Sequence, residues 1–173
     1  MGPLLPKSYV VAKWTVYGLA TMLLFFLQYL LLDHLHFHGL TPFIYPMLPA
    51  VVASYEGLRR GGVFGLAVGL VCDLLLTGPF YGFFTLAFTL IALLAALIGE
   101  NLLSPGFLCA LCVSAMALLL TGALRILFQL LSGGGYLGLM ARIALEESLL
   151  SLPALAAVLP LYRLIHRRCA VDY

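Results

Sequence analysis

The chain has 173 residues, of which 64 % are hydrophobic and only 9 % charged, with a formal net charge of +2 and a mean hydropathy of +1.12. Soluble globular domains carry about 25 % charged residues, so the composition excludes that class and points to an all-α, polytopic membrane protein, a single integral membrane domain over 1–173. With so few charges, where they sit says more than their sum, and the small positive excess does not argue for nucleic acid.

In chain order, six spans are expected, at about 14–32, 40–55, 61–77, 80–98, 107–131 and 143–162. The first follows Lys7 and Lys13. It is long enough to cross a hydrocarbon core of about 30 Å, and no small-residue cleavage site follows it, so it reads as an uncleaved signal anchor. The second holds Pro42, Pro46 and Pro49. Its backbone is expected to be kinked or partly re-entrant, with neighbouring protein satisfying the freed carbonyls. Gly78-Pro79 is a turn signal between the third and fourth spans, and Ser132 with the glycines after it closes the fifth. Pro153 and Pro160 mark bends in the sixth.

Lys7, Lys13, Arg59, Arg60, Arg163, Arg167 and Arg168 fall on one side of this arrangement, and Arg142 lies in a loop on the other. The asymmetry predicts a multi-pass protein of a bacterial cytoplasmic membrane with both termini inside, Arg59 and Arg60 being the orienting pair of the central loop.

Two charges fall inside apolar segments. Asp73 lies roughly 18 Å from the start of its span and Arg125 roughly 27 Å from the start of its own, at 1.5 Å per residue. An intramembrane arginine costs several kcal/mol unless paired, hydrated or snorkelled. Asp73 and Arg125 are therefore expected either to form a structural ion pair or hydrogen-bond to backbone, or to belong to an outer polar cluster that lines a pocket or a partner-binding surface. Glu146 and Glu147 compete as partners for Arg125, and Arg142 and Glu146 are spaced to pair along one helix face.

Gly61, Gly65 and Gly69 recur every four residues, the spacing that lets two helix backbones approach closely. The neighbour is either another helix of this chain or a second subunit. His34, His36 and His38 alternate and would share a face in an extended segment, but no acidic or cysteine partner follows at a ligand spacing, so no metal is assigned. Cys109 and Cys112 form a C-x-x-C inside an apolar helix and read, with Cys72, as buried small apolar residues. Cys169 stands in the basic C-terminal tail. No Walker motif, zinc-protease helix or nucleophile elbow occurs, so nothing in the chain points to an enzyme or a cofactor.

The proline-rich second span, then Tyr55-Glu56-Gly57-Leu58-Arg59-Arg60-Gly61, then Gly65-Leu66-Ala67-Val68-Gly69-Leu70-Val71-Cys72-Asp73-Leu74-Leu75 and Gly78-Pro79-Phe80-Tyr81-Gly82 resemble the rod shape-determining MreD family over essentially the whole chain. The resemblance implies a non-catalytic subunit of the bacterial cell-elongation machinery, supporting rod shape and peptidoglycan synthesis. Its implied partner is MreC and, through it, the MreB filaments and the elongation glycosyltransferase and transpeptidase. Asp73, Gly65 and Gly69 match the family's motif positions and are implied to lie in the packed centre of the fold. The second resemblance is to the substrate-binding subunits of energy-coupling-factor vitamin transporters, also six-span and similar in fold. The outer cluster of Asp73, Arg125, Glu146 and Glu147 would suit their ligand pocket, but the first span lacks the alanine pair through which such subunits dock.

Overall fold

The computed structural model describes residues 7–32, 42–76, 78–101, 106–133 and 137–168, and no strand occurs among them. Helix α1, Lys7–Leu27, begins seven residues before the expected first span, because nothing between Lys7 and Trp14 breaks a helix. It continues as a π-helical turn, Gln28–Leu32. Gln28 is buried there, its Nε2 donating to the Pro42 carbonyl at 2.6 Å and its Oε1 accepting from the Ile44 N–H at 3.2 Å. One side-chain amide thus satisfies backbone groups of the non-helical stretch that leads into the next helix, as low-dielectric surroundings require.

Helix α2, Met47–Leu75, corrects the expectation of a proline-kinked second span. Pro42 and Pro46 precede the helix, and Pro49 stands in its first turn, where a missing N–H leaves nothing unsatisfied. The break lies instead at Gly57, whose φ of 78° and ψ of −179° are non-helical. A methyl group at Gly61 would stand 2.5 Å from the Ala53 Cβ. In a straight helix, residues eight apart are separated by about 12 Å, so the limbs 47–56 and 58–75 fold back on each other at Gly57.

Helix α3, Phe83–Asn101, returns alongside the 58–75 limb. The packing between the two is closest at Gly65 and Gly69. An added methyl at Gly65 would lie 2.6 Å from the Ala92 Cβ and 2.7 Å from the Phe88 carbonyl oxygen; at Gly69 it would lie 2.5 Å from the Thr85 Cα. The glycine spacing therefore serves a helix pair within this chain, and dispersion contacts between backbones hold it. Helix α4 spans Phe107–Leu131, the bounds expected from the sequence.

The expected sixth span at 143–162 is two helices rather than one. Helix α5, Leu137–Ser151, leads through a 3-10 turn at Leu152–Ala154 into α6, Leu155–Arg168. The stretches Ala141–Ala154 and Val158–His166 are bent by 51° relative to each other, the break beginning two residues after Pro153, whereas Pro160 lies inside α6. Tyr162 of α6 stacks on Tyr17 of α1 at 5.9 Å, and its hydroxyl shares a 2.8 Å hydrogen bond with Thr21.

Among the described residues, three helices are long and apolar enough to cross a membrane, Val11–Leu30, Phe83–Asn101 and Phe107–Leu131, and the bent pair Ala141–Ala154 with Val158–His166 makes a fourth if taken as one span. Their outward faces carry Met22, Phe26, Leu86, Leu90 and Leu119 in contact with the surroundings, as a hydrocarbon solvent allows. The protein is a helical membrane protein.

Candidate functional site

An ionised side chain in an apolar bundle must find partners, so the charged residues of the interior reveal what the fold is built to hold. Three such places occur among the described residues, and they fall at two ends of the bundle.

Asp73 lies at one end, in the last turn of the 58–75 limb. Its Oδ1 accepts from the Phe84 N–H at 2.9 Å, and its Oδ2 accepts from the Thr85 N–H at 2.8 Å and the Thr85 hydroxyl at 2.5 Å. Both amides belong to the first turn of α3, which has no intrahelical acceptors for them, and the negative charge faces the positive end of the helix dipole. Asp73 therefore closes the hairpin from across the Gly78-Pro79 turn. Of the two structural expectations for Asp73, the hydrogen bond to backbone is the one that forms and the ion pair with Arg125 does not, because backbone donors nearer in the chain already occupy both carboxylate oxygens.

Arg125 belongs to the same end but to a different contact. Its Nη1 stands 3.6 Å from Oε2 of Glu147, and its guanidinium lies 4.8 Å from the centre of the Phe43 ring. Both members of the ion pair are partly exposed. A space of about 30 Å³ beside them, edged by Thr121, Ser148 and Ser151, has room for about one water. Glu146 takes a separate partner, accepting from Arg142 Nε at 2.8 Å on an exposed face of α5. The expected outer cluster is thus three separate contacts: Asp73 with α3, Arg125 with Glu147, and Arg142 with Glu146.

The most heavily partnered charge is one that sequence reasoning left out of the candidate site. Glu56, at the fold-back beside Gly57, has a side chain only 2 % exposed. Its carboxylate lies 2.7 Å from Lys13 Nζ, accepts from the Tyr17 hydroxyl at 3.0 Å, and stands 3.2 Å from His166 Nδ1. Arg60, one turn on, is 3.9 Å away. Burial alone would favour the neutral acid, but Lys13, His166 and Tyr17 together outweigh it and hold the carboxyl below the usual glutamate range. His166 also stacks on Tyr55 at 5.0 Å. Glu100, at the end of α3, accepts from the Leu58 N–H at 3.0 Å and so covers the backbone exposed by the break. The start of α1, the fold-back of α2 and the ends of α3 and α6 consequently meet at one place. The signal for it in the sequence was Glu56 four residues before Arg60 and directly before a glycine.

Of the remaining candidates, Arg59 and Arg60 are exposed at the Glu56 end. Gly61, Gly65 and Gly69 are buried within the chain's own helix packing. Cys72 and Cys109 are buried as expected, whereas Cys112 is exposed on the outer face of α4, so the C-x-x-C does not form one buried pair. No group of three or more His, Cys, Asp or Glu side chains placed to hold a metal occurs among the described residues, and His34, His36, His38 and Cys169 lie outside them.

No family model matches the chain, and no curated protein or solved structure is significantly similar to it.

Proposed function

We propose that the chain is a non-catalytic, six-span scaffold subunit of the bacterial cell-elongation machinery, of the MreD type, and that it acts by holding MreC in the cytoplasmic membrane. The six spans on this reading are α1, the stretch 42–55, the limb 58–75, α3, α4, and the α5–α6 pair, with Glu56 just outside the second. Gln28 stands roughly 22 Å along α1 from Lys13, and the stretch between Pro42 and Glu56 runs between those two levels. The short limb therefore counts as a traverse together with the non-helical residues before it. Lys13, Arg59 and Arg60 gather at the Glu56 end, to which the positive-inside rule assigns the cytoplasm.

The observation that carries the reading is the hairpin built from the motif itself. Gly65 and Gly69 bring the 58–75 limb against α3, and Asp73 ties it to the α3 N-terminus. These residues make a rigid centre and no reaction site, which suits a subunit whose work is to present surfaces. MreC is then bound by faces other than the glycine stripe, which is already filled. Depleting the protein in its own rod-shaped cells tests this: rounding with loss of ordered MreB motion supports it, and unchanged rods at full depletion count against it.

The vitamin-carrier reading draws less support. The space between Arg125 and Glu147, about 30 Å³, holds a water and not a vitamin, for which several hundred Å³ are needed. A larger cleft of about 640 Å³ between α1 and the 58–75 limb is lined almost wholly by apolar side chains, without the charged groups of the expected vitamin pocket.

A further inference from the structure

Arg125 faces a second space. On the side away from the bundle interior, a cleft of about 480 Å³ is lined by Gly78, Pro79, Arg125, Phe128, Gln129 and Ser132. Arg125, Gln129 and Ser132 are spaced i, i+4 and i+7 and share one face of the last two turns of α4 and its C-cap. Their side chains present a guanidinium, a carboxamide and a hydroxyl, and no carboxylate lines the cleft among the described residues. Phe80 packs on Phe128 at 4.5 Å and fixes the far wall. Arg125 lies roughly 9 Å from the end of α4, the depth at which a helix passes from hydrocarbon to headgroups.

The guanidinium is only loosely engaged on its inner side. Its distance to Glu147, 3.6 Å, is longer than a direct hydrogen bond, and the Phe43 ring at 4.8 Å orients the plane without using its donors. A guanidinium has five N–H donors in a fixed fork that matches phosphate oxygens, and the carboxamide one turn on extends that donor row, whereas the Ser132 hydroxyl donates to the Phe128 carbonyl at 3.0 Å and adds a donor only by turning away from it.

We propose that the Arg125–Gln129–Ser132 cleft binds a phosphoryl group at the membrane surface on the Asp73 side, either the phosphodiester of a lipid headgroup or a soluble phosphate. In the Gly78-Pro79 turn Gly78 adds no side chain and Pro79 only its compact ring, which leaves room for the headgroup while its acyl chains remain in the bilayer. The inference does not depend on which partner the chain serves.

The test is native mass spectrometry of the full chain purified in a neutral, phosphate-free detergent. It is titrated in one arm with short-chain phosphatidylglycerol and in the other with inorganic phosphate. Wild type should retain one phosphoryl adduct. R125Q should bind at least about tenfold more weakly, the loss expected when one or two charge-assisted hydrogen bonds go. The double variant Q129L/S132A changes only exposed side chains, so it keeps the fold and should weaken the same adduct severalfold. R59Q/R60Q, altered at the opposite end, should keep it. Retention of the lipid alone assigns a headgroup, and displacement of the lipid by phosphate assigns a soluble ligand. Absence of an adduct in both arms overturns the proposal, as does an adduct that R125Q and Q129L/S132A retain at wild-type strength.

Discussion

Asp73 caps the helix that follows it: its Oδ2 takes both the Thr85 N–H, at 2.8 Å, and the Thr85 hydroxyl, at 2.5 Å. The carboxylate is thereby accounted for by the backbone it satisfies. Removing it leaves two partly buried helix N-terminal amides without their acceptor. D73A should destabilise the folded protein by about 2–4 kcal/mol, the cost of orphaned polar groups in apolar surroundings. D73N keeps one acceptor and should cost less, and T85V, which loses only the hydroxyl bond, about 1 kcal/mol. Reversible unfolding in mixed micelles measures the order. Because Arg125 takes no part in the cap, D73A and R125A should be additive within about 0.5 kcal/mol, and a larger coupling would restore the ion pair.

Glu56 governs the opposite end. E56Q leaves Lys13, itself only 14 % exposed, without its counter-charge and should cost about 3 kcal/mol, the scale for breaking a buried pair from one side. The pH dependence follows from the lowered carboxyl pKa. Protons bind the unfolded chain more readily, so the stability from Glu56 is fully present above the ordinary glutamate value of 4.5 and is lost as pH falls through the lower folded value. Melting temperature should hold from neutral pH to about 5 and fall below 4.5, and E56Q should flatten that fall.

The glycines of α2 and α1 separate by what surrounds them. G69A places a methyl 2.5 Å from the Thr85 Cα, a backbone atom that cannot give way without moving α3. It should cost about 1–3 kcal/mol, and G69L more. G57A faces both a positive φ of 78° and the Glu100 carboxylate, for a loss of about 1–2 kcal/mol. Gly18 has open space around its Cβ position, so G18A should be neutral or stabilising by up to about 1 kcal/mol. Thermal melts of the four variants give the ranking.

The sequence made the helical membrane class plain, because apolar runs of this length leave few other solutions, and it located α4 to the residue. The glycine stripe and the Gly78-Pro79 turn were legible for the same reason: each acts locally. What could not be read was the choice of partners across the bundle. Arg125 has acids at 73, 146 and 147 within plausible reach, and depth along a helix cannot choose among them. Hydrogen bonding of Asp73 to backbone was one of the readings the sequence allowed, but which N–H groups it would take, those of Phe84 and Thr85, cannot be read from a string of letters. Glu56 was passed over because its neighbours Arg59 and Arg60 explained the loop by orientation alone, while Lys13 and His166 lie more than forty residues away on either side.

The Arg125–Glu147 pair is loose and about a third exposed, with 3.6 Å between its charged atoms. Pairs of this kind contribute little, so E147Q should change stability by less than about 1 kcal/mol. A cost comparable to that of E56Q would mean that the pair is shielded from water by something bound over it.

The account rests most on the association with MreC. Co-expression with full-length MreC from the same cell, followed by affinity purification through this chain and gel filtration, measures it directly. The account predicts a stable complex of fixed stoichiometry that D73N, G65L and G69L weaken as they loosen the hairpin. MreC eluting apart from a monodisperse, folded preparation of the wild-type chain would contradict it, as would intact co-purification of all three variants.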